Sequence, residues 1–158
     1  MERHKKLAFY GVPSTGEGGY VFKRMKYFTQ FGINKNPVEH NRKYVDEATN
    51  RNDVVGYDTS IAYAFDDTNG DPVLEDIISI TTLEKTDTDA VRPIILVDTN
   101  DNSAVMRDFA VIPGSEGDDA NTYTHSGTFK AHGELTTGTA TIAADGQSAT
   151  FTEDGNNG

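Results

Sequence analysis

The sequence predicts a mostly β chain with one packed helix. Three observations predict it. Residues 55–65 alternate between large apolar and small or polar side chains, the period of a half-buried strand. Asp145-Gly146 divides two Thr-rich runs, the composition of a tight hairpin. Only the stretch after Asp71 carries apolar residues at three- and four-residue spacing.

From the N-terminus, Met1–Leu7 is basic and lacks an apolar h-region, so no secretory signal is expected. Leu7–Gly19 holds Gly, Pro and Ser without periodicity and reads as a loop or arm. Strands are predicted at Tyr20–Phe28 and Val38–Glu47. Val55, Tyr57, Thr59, Ile61, Tyr63 and Phe65 then form the large face of one continuous strand. Asp71 suits an N-cap, Pro72 the first helical position, and Glu75 and Asp76 the positive end of the helix dipole. Val73, Leu74, Ile77, Ile78 and Thr81 make the helix stripe, although Ile78–Thr81 is β-branched enough to read as strand too. Ile94–Val97 is apolar on both parities, which predicts a central strand covered on both faces, with the helix as cover. Strands follow at Val105–Ile112 and from Tyr123 toward Leu135, while Gly114–Asn121 reads as a loop. In the last hairpin, a type I′ turn at Asp145-Gly146 places Ile142 opposite Ala149 and Ala140 opposite Phe151. A single domain over residues 1–153, with a flexible tail at 154–158, accounts for the chain.

The 158 residues carry a net charge of −11 and no cysteine, which excludes disulfides, thiolate metal sites and Cys nucleophiles. Residues 1–52 hold ten Lys/Arg and five Asp/Glu, or +5, leaving −16 for residues 53–158. The acidic body repels nucleic-acid phosphate. Either the asymmetry is a solvated surface, or the basic segment of one copy docks on the acidic body of another.

No motif carries catalytic chemistry. His4, His40, His125 and His132 are scattered, too far apart for a zinc signature, and read as surface or partly buried structural residues. Asp98–Asn102 begins like an EF-hand loop, but Ser103 and Phe109 stand where Gly and Glu are needed. Gly16-Glu17-Gly18-Gly19 lacks a phosphate-binding Lys, and no Gly-x-Ser-x-Gly elbow occurs. An enzyme is not expected, nor is a cofactor or metal.

Val38–Glu47 is too polar to lie in a core on either face. It is either a solvated hairpin whose charges protect an edge or an arm that pairs with another subunit. Across Arg42-Lys43-Tyr44-Val45-Asp46-Glu47, then Val54-Val55-Gly56-Tyr57, Ile61–Asp66 and the helix region to Ile80, the chain resembles the major tail tube proteins of long-tailed, siphovirus-like bacteriophages. The likeness is close over about Val38–Leu83 and looser in the final strands. It implies a β-sandwich or partial barrel of antiparallel strands with one flanking α-helix. It also implies six-membered rings that stack into a tube carrying DNA. The segment 33–56 would be the hairpin bridging subunits, with Arg42, Lys43, Tyr44, Asp46, Glu47 and Arg51 as inter-subunit assembly residues. The partners implied are other copies of the chain and the tape-measure, terminator and tip proteins of the tail. DNA would pass without specific binding, no membrane is involved, and the protein would be made in the bacterial cytoplasm and reside in the virion tail. A carbohydrate- or surface-binding β-sandwich module, and a tube protein of a phage-related secretion or injection particle, are the alternatives.

Overall fold

Strand pairing closes part of this chain into a barrel and leaves the rest as an open sheet. The computed structural model describes residues 6–13, 19–26, 28–42, 51–66, 70–118 and 123–154. They form β1 (Lys6–Pro13), β2 (Tyr20–Arg24), β3 (Phe28–Asn34), β4 (Pro37–Arg42), β5 (Arg51–Tyr57), β6 (Ser60–Asp66) and α1 (Pro72–Thr82). A 3₁₀ turn at Asp87–Ala90 leads into β7 (Val91–Asp98), β8 (Ser103–Asp118), β9 (Tyr123–Ala131), β10 (Thr136–Ile142) and β11 (Ser148–Glu153). Among the described residues, nine strands make one antiparallel sheet in the order β10-β11-β2-β1-β7-β8-β9-β6-β3, and β4 pairs only with β5. A further pairing of β10 with β8, Thr136–Thr139 against Met106–Ser103, joins the first six strands into a closed ring. The long β8 runs on beyond that ring and carries β9, β6 and β3 as an extension.

Side-chain alternation sorts the core into two halves. Phe9, Ile95, Val97, Ala104 and Ala140 fill the barrel, with Phe22, Met106, Ile142 and Phe151 packed against them. Tyr10, Ile94, Phe109 and Val111 point the other way and meet Ile61, Tyr63, Phe65, Phe129 and the buried face of α1. The expected sandwich or partial barrel with one flanking helix is the observed architecture. Ile94–Val97 is a central strand covered on both faces, as its two-sided apolar pattern requires. The helix covers only one of those faces; the other lies inside the barrel, against the C-terminal hairpin.

The helix starts where the sequence places it. Asp71 Oδ1 accepts hydrogen bonds from the Val73 and Leu74 amides at 2.9 and 3.4 Å, and Pro72 opens the first turn. It continues to Thr82 and buries Val73, Leu74, Ile77 and Ile80, so the strand reading of Ile78–Thr81 does not hold. Its anchor is ionic. Tyr10 on β1 donates to Asp76 Oδ2 at 2.5 Å, and Arg92 on β7 donates to the same oxygen at 2.9 Å.

Several expected elements differ, and each difference comes from a tertiary partner. Leu7–Gly19 is not a loop at its start: Lys6–Pro13 is β1, held between β2 and β7. Its lack of alternation arises because both faces are covered, Phe9 by the barrel and Tyr10 by the helix side. Gly114 is likewise inside β8, which is strand through Asp118. A Cβ on Gly127 would lie 2.5 Å from the Ile112 carbonyl oxygen and 2.7 Å from the Tyr63 hydroxyl, so glycine serves close packing here. The predicted strand Tyr20–Phe28 divides into β2 and β3, and β3 extends to Asn34. β9 stops at Ala131, leaving Leu135 exposed beyond it. The final hairpin has the expected register, Ala140 opposite Phe151 and Ile142 opposite Ala149. Its turn is not type I′, because only Gly146 takes a positive φ, 73°, while the Gly146 amide bonds the Ala143 carbonyl at 2.8 Å. Asp145 instead caps the Gln147 amide at 3.0 Å.

Candidate assembly surface

The run read as one strand over residues 55–65 is two strands with a joint between them. β3 and β6 pair from Phe28 opposite Phe65 to Asn34 opposite Ser60. β4 and β5 resume the same two-chain ribbon at Pro37 opposite Tyr57 and carry it to Arg42 opposite Arg51. Between the two ladders, Asn36 adopts a left-handed φ of 44°, a conformation Asn tolerates better than most residues. Its side-chain amide donates to the Asp58 carbonyl at 3.0 Å and to Ser60 Oγ at 3.2 Å, and the Asp58 amide donates to the Asn36 carbonyl at 3.1 Å. This joint sets the direction in which the hairpin leaves the body.

Beyond the joint the ribbon makes a separate two-stranded sheet. The register shifts between Val38 and Glu39, leaving Val55 as the extra residue of a bulge. Val38, Val54, Val55 and Tyr57 are 50, 53, 64 and 62% exposed. A lone two-stranded hairpin is marginal in water, and clustered exposed apolar groups mark an interaction surface. Val55 and Tyr57 therefore do not share a buried face with Ile61, Tyr63 and Phe65, which are 0–1% exposed. Asp58, a turn-favouring residue between β5 and β6, was the available signal that the alternation does not run straight through.

Of the residues expected to carry assembly, Arg42 and Arg51 stand opposite each other at the outer end of the hairpin ladder. Lys43, Tyr44, Asp46 and Glu47 lie outside the described residues, as do residues 155–158 of the expected tail. The predicted strand Val38–Glu47 is described only through Arg42.

At the root of the ribbon, a groove of about 1270 Å³ opens between β3 and the ends of β1, β7, β8 and β10. Met25, Phe28, Phe31 and Leu96 supply apolar lining, and Lys6, Arg24, Lys26 and Lys35 outnumber the carboxylates Asp98 and Asp154. Lys26 Nζ donates to Gln147 Oε1 at 2.6 Å, which ties one cation to the last hairpin.

The other polar clusters serve the fold. His125 is 3% exposed, stacks on Phe65 with ring centres 5.1 Å apart, and has Nδ1 3.5 Å from Glu116 Oε2. In the acidic turn after β7, Asp98 Oδ1 accepts from the Asn100 amide and Asp101 Oδ1 from the Ser103 amide, each at 3.0 Å. The Ser103 hydrogen bonds hold the Asp101 carboxyl below the usual range. Among the described residues, no group of three or more His or acidic side chains converges to hold a metal ion.

No protein-family model and no curated protein matches the sequence. Solved structures do share the fold. A chain of the tail of an empty GTA particle, refined with C6 symmetry, superposes with a TM-score of 0.60 at 15% identity, over 85% of this chain and 96% of that one. A chain of the six-fold symmetrised anti-feeding prophage baseplate superposes with a TM-score of 0.51 at 11% identity, over 87% and 94% respectively. At such identities the likeness is one of fold: a tail-tube-like β architecture with a single helix.

Proposed function

We propose that the chain is a structural subunit that self-assembles into the tube of a phage-type tail. The observation that carries this reading is the uncovered apolar base of the projecting hairpin, on a fold shared over nearly the whole length of a six-fold tail chain. A surface that one copy cannot satisfy is satisfied by the next. Contacts of this head-to-tail kind close into rings where the rotation allows and stack into filaments where it does not. Six copies per ring is the number that the GTA tail symmetry suggests.

The hairpin tip, with Arg42, Lys43, Tyr44, Asp46, Glu47 and Arg51, adds charge pairs between copies. The −16 carried by residues 53–158 suits a wall that DNA slides along, because like charge repels phosphate. Tape-measure, terminator and tip proteins of the same tail are the further partners of such a tube, and its location is the virion tail. No catalytic step belongs to this role. The likeness to an anti-feeding prophage baseplate chain favours one second reading, a tube of a phage-derived injection particle; isolating the native particle and assaying it for packaged DNA separates the two.

Negative-stain microscopy of the purified protein at rising concentration tests the proposal. Rings with six-fold end views, lengthening into tubes, are expected. Reversing Arg42 and Lys43 to Glu should leave the circular dichroism spectrum intact and weaken ring or stack formation. A protein that stays monomeric under all conditions would overturn the tube reading.

A further inference from the structure

We infer that the groove between β3 and the barrel is the receptor for the apolar base of another copy's hairpin. The inference rests on the tube reading and adds to it a defined binding site. Three observations carry it.

The first is mutual incompleteness. Val38, Val54, Val55 and Tyr57 are at least half exposed, and none of them lines the groove of its own chain. The groove, at about 1270 Å³, is far larger than one side chain and is walled by Met25, Phe28, Phe31 and Leu96. By register Tyr57, Val55 and Val54 lie on the side of Pro37 and Glu39, while Val38 faces the other way with Gly56. That three-residue apolar face and a cleft with apolar lining each need what the other offers.

Charge is the second. Residues 37–39 and 53–58, the base of the hairpin, contain Glu39, Asp53 and Asp58 and no cation. The groove lining contains Lys6, Arg24, Lys26 and Lys35 against two carboxylates. Complementary signs of this kind orient an encounter and reject the reverse docking.

Connectivity is the third. Ile33 lines the groove, and Val38 follows only five residues later, beyond the Asn36 joint. Donor and receptor are thus joined through β3, and no described residue of β4 or β5 lines the groove of its own chain. Each copy gives at one end of the ribbon and receives at the other, which makes the contact heterologous and able to propagate.

The absence of cysteine from the chain allows a direct test. A double variant, Val55→Cys with Met25→Cys, should form a ladder of intermolecular disulfides on mild oxidation of assembled protein. Val55→Cys with Leu83→Cys, on the exposed end of the helix, should not. Separately, Asp53→Lys or Lys35→Glu alone should raise the critical concentration for assembly about tenfold, and the two together should restore it to within about threefold. Tubes that form without the Val55–Met25 cross-link, and with unchanged critical concentrations in the charge variants, would overturn the groove assignment and leave the tube reading standing. Groove variants that self-assemble normally but lose binding to a different tail protein would overturn it equally. Wild-type protein that never assembles would remove both.

Discussion

The Asn36 side-chain amide donates to the Asp58 carbonyl at 3.0 Å, at the joint where the ribbon between body and hairpin has no strand ladder. A residue with a left-handed φ and a carbonyl partner across the gap acts as a latch that fixes an angle. The latch lies between the core and the surface that other copies are proposed to meet, so changes there should separate stability from assembly.

Asn36→Gly removes the two side-chain bonds, each worth about 0.5–1.5 kcal/mol, and relieves a left-handed backbone cost of about 1 kcal/mol. Unfolding in urea should therefore shift by no more than about 1–2 kcal/mol, while sedimentation shows a clear loss of assembly. Asn36→Ala loses the bonds and keeps the strain, so it should be the less stable of the two. Equal stability in both variants would contradict the left-handed strain at Asn36, and unimpaired assembly of both would contradict the latch.

The Tyr10–Asp76–Arg92 cluster pins α1 to the two strands beneath it. Tyr10→Phe removes one donor from Asp76 and leaves Arg92 in place, at a cost of about 1–3 kcal/mol. Arg92→Leu leaves a carboxylate that is 12% exposed without its cation, and should cost about 3–5 kcal/mol. Chemical denaturation of the two variants checks the order, and a milder effect for Arg92→Leu would refute it.

Gly138 is where the barrel closes, opposite Ala104 on β8 and Glu153 on β11 at once. A Cβ there would run into the Thr152 carbonyl oxygen and lie 2.8 Å from the Phe151 ring and 2.9 Å from Glu153 Cα. Gly138→Ala should destabilise the domain by about 1–3 kcal/mol through overpacking. Faster amide exchange in β10 and β11 than in β6 and β9 would locate the damage.

Alkaline pH should unfold the protein through two tyrosines. Burial pushes the Tyr63 hydroxyl up to about 12. Burial, aided by the Asp76 charge and hydrogen bond, holds Tyr10 well above its ordinary value. Both are neutral in the fold, whereas the unfolded chain ionises near pH 10. Their contribution is complete below about pH 10 and is lost as pH climbs toward the folded values. Of seven tyrosines, Tyr10 and Tyr63 should give tyrosinate absorbance only together with the loss of circular dichroism. Titration of all seven near pH 10 with the spectrum unchanged would exclude this.

Local features of the sequence determined the helix start at Asp71, the facing pairs Ala140–Phe151 and Ile142–Ala149, and the two-sided burial of Ile94–Val97. Each depends on neighbours a few residues away, or on a pattern within one element. The polarity of Val38–Arg42 marked a strand outside the core in the same way, and that strand is β4, laid against β5 in a sheet of its own. Val55 and Tyr57 have the alternation of a core strand, and only their position beyond the Asn36 joint leaves them in solvent. Tertiary structure alone made Lys6–Pro13 a strand, extended β8 through Gly114, and closed the barrel at Gly138. In each case the deciding partner lies far away in sequence, and an apolar side chain is buried or bare according to what the fold brings to it.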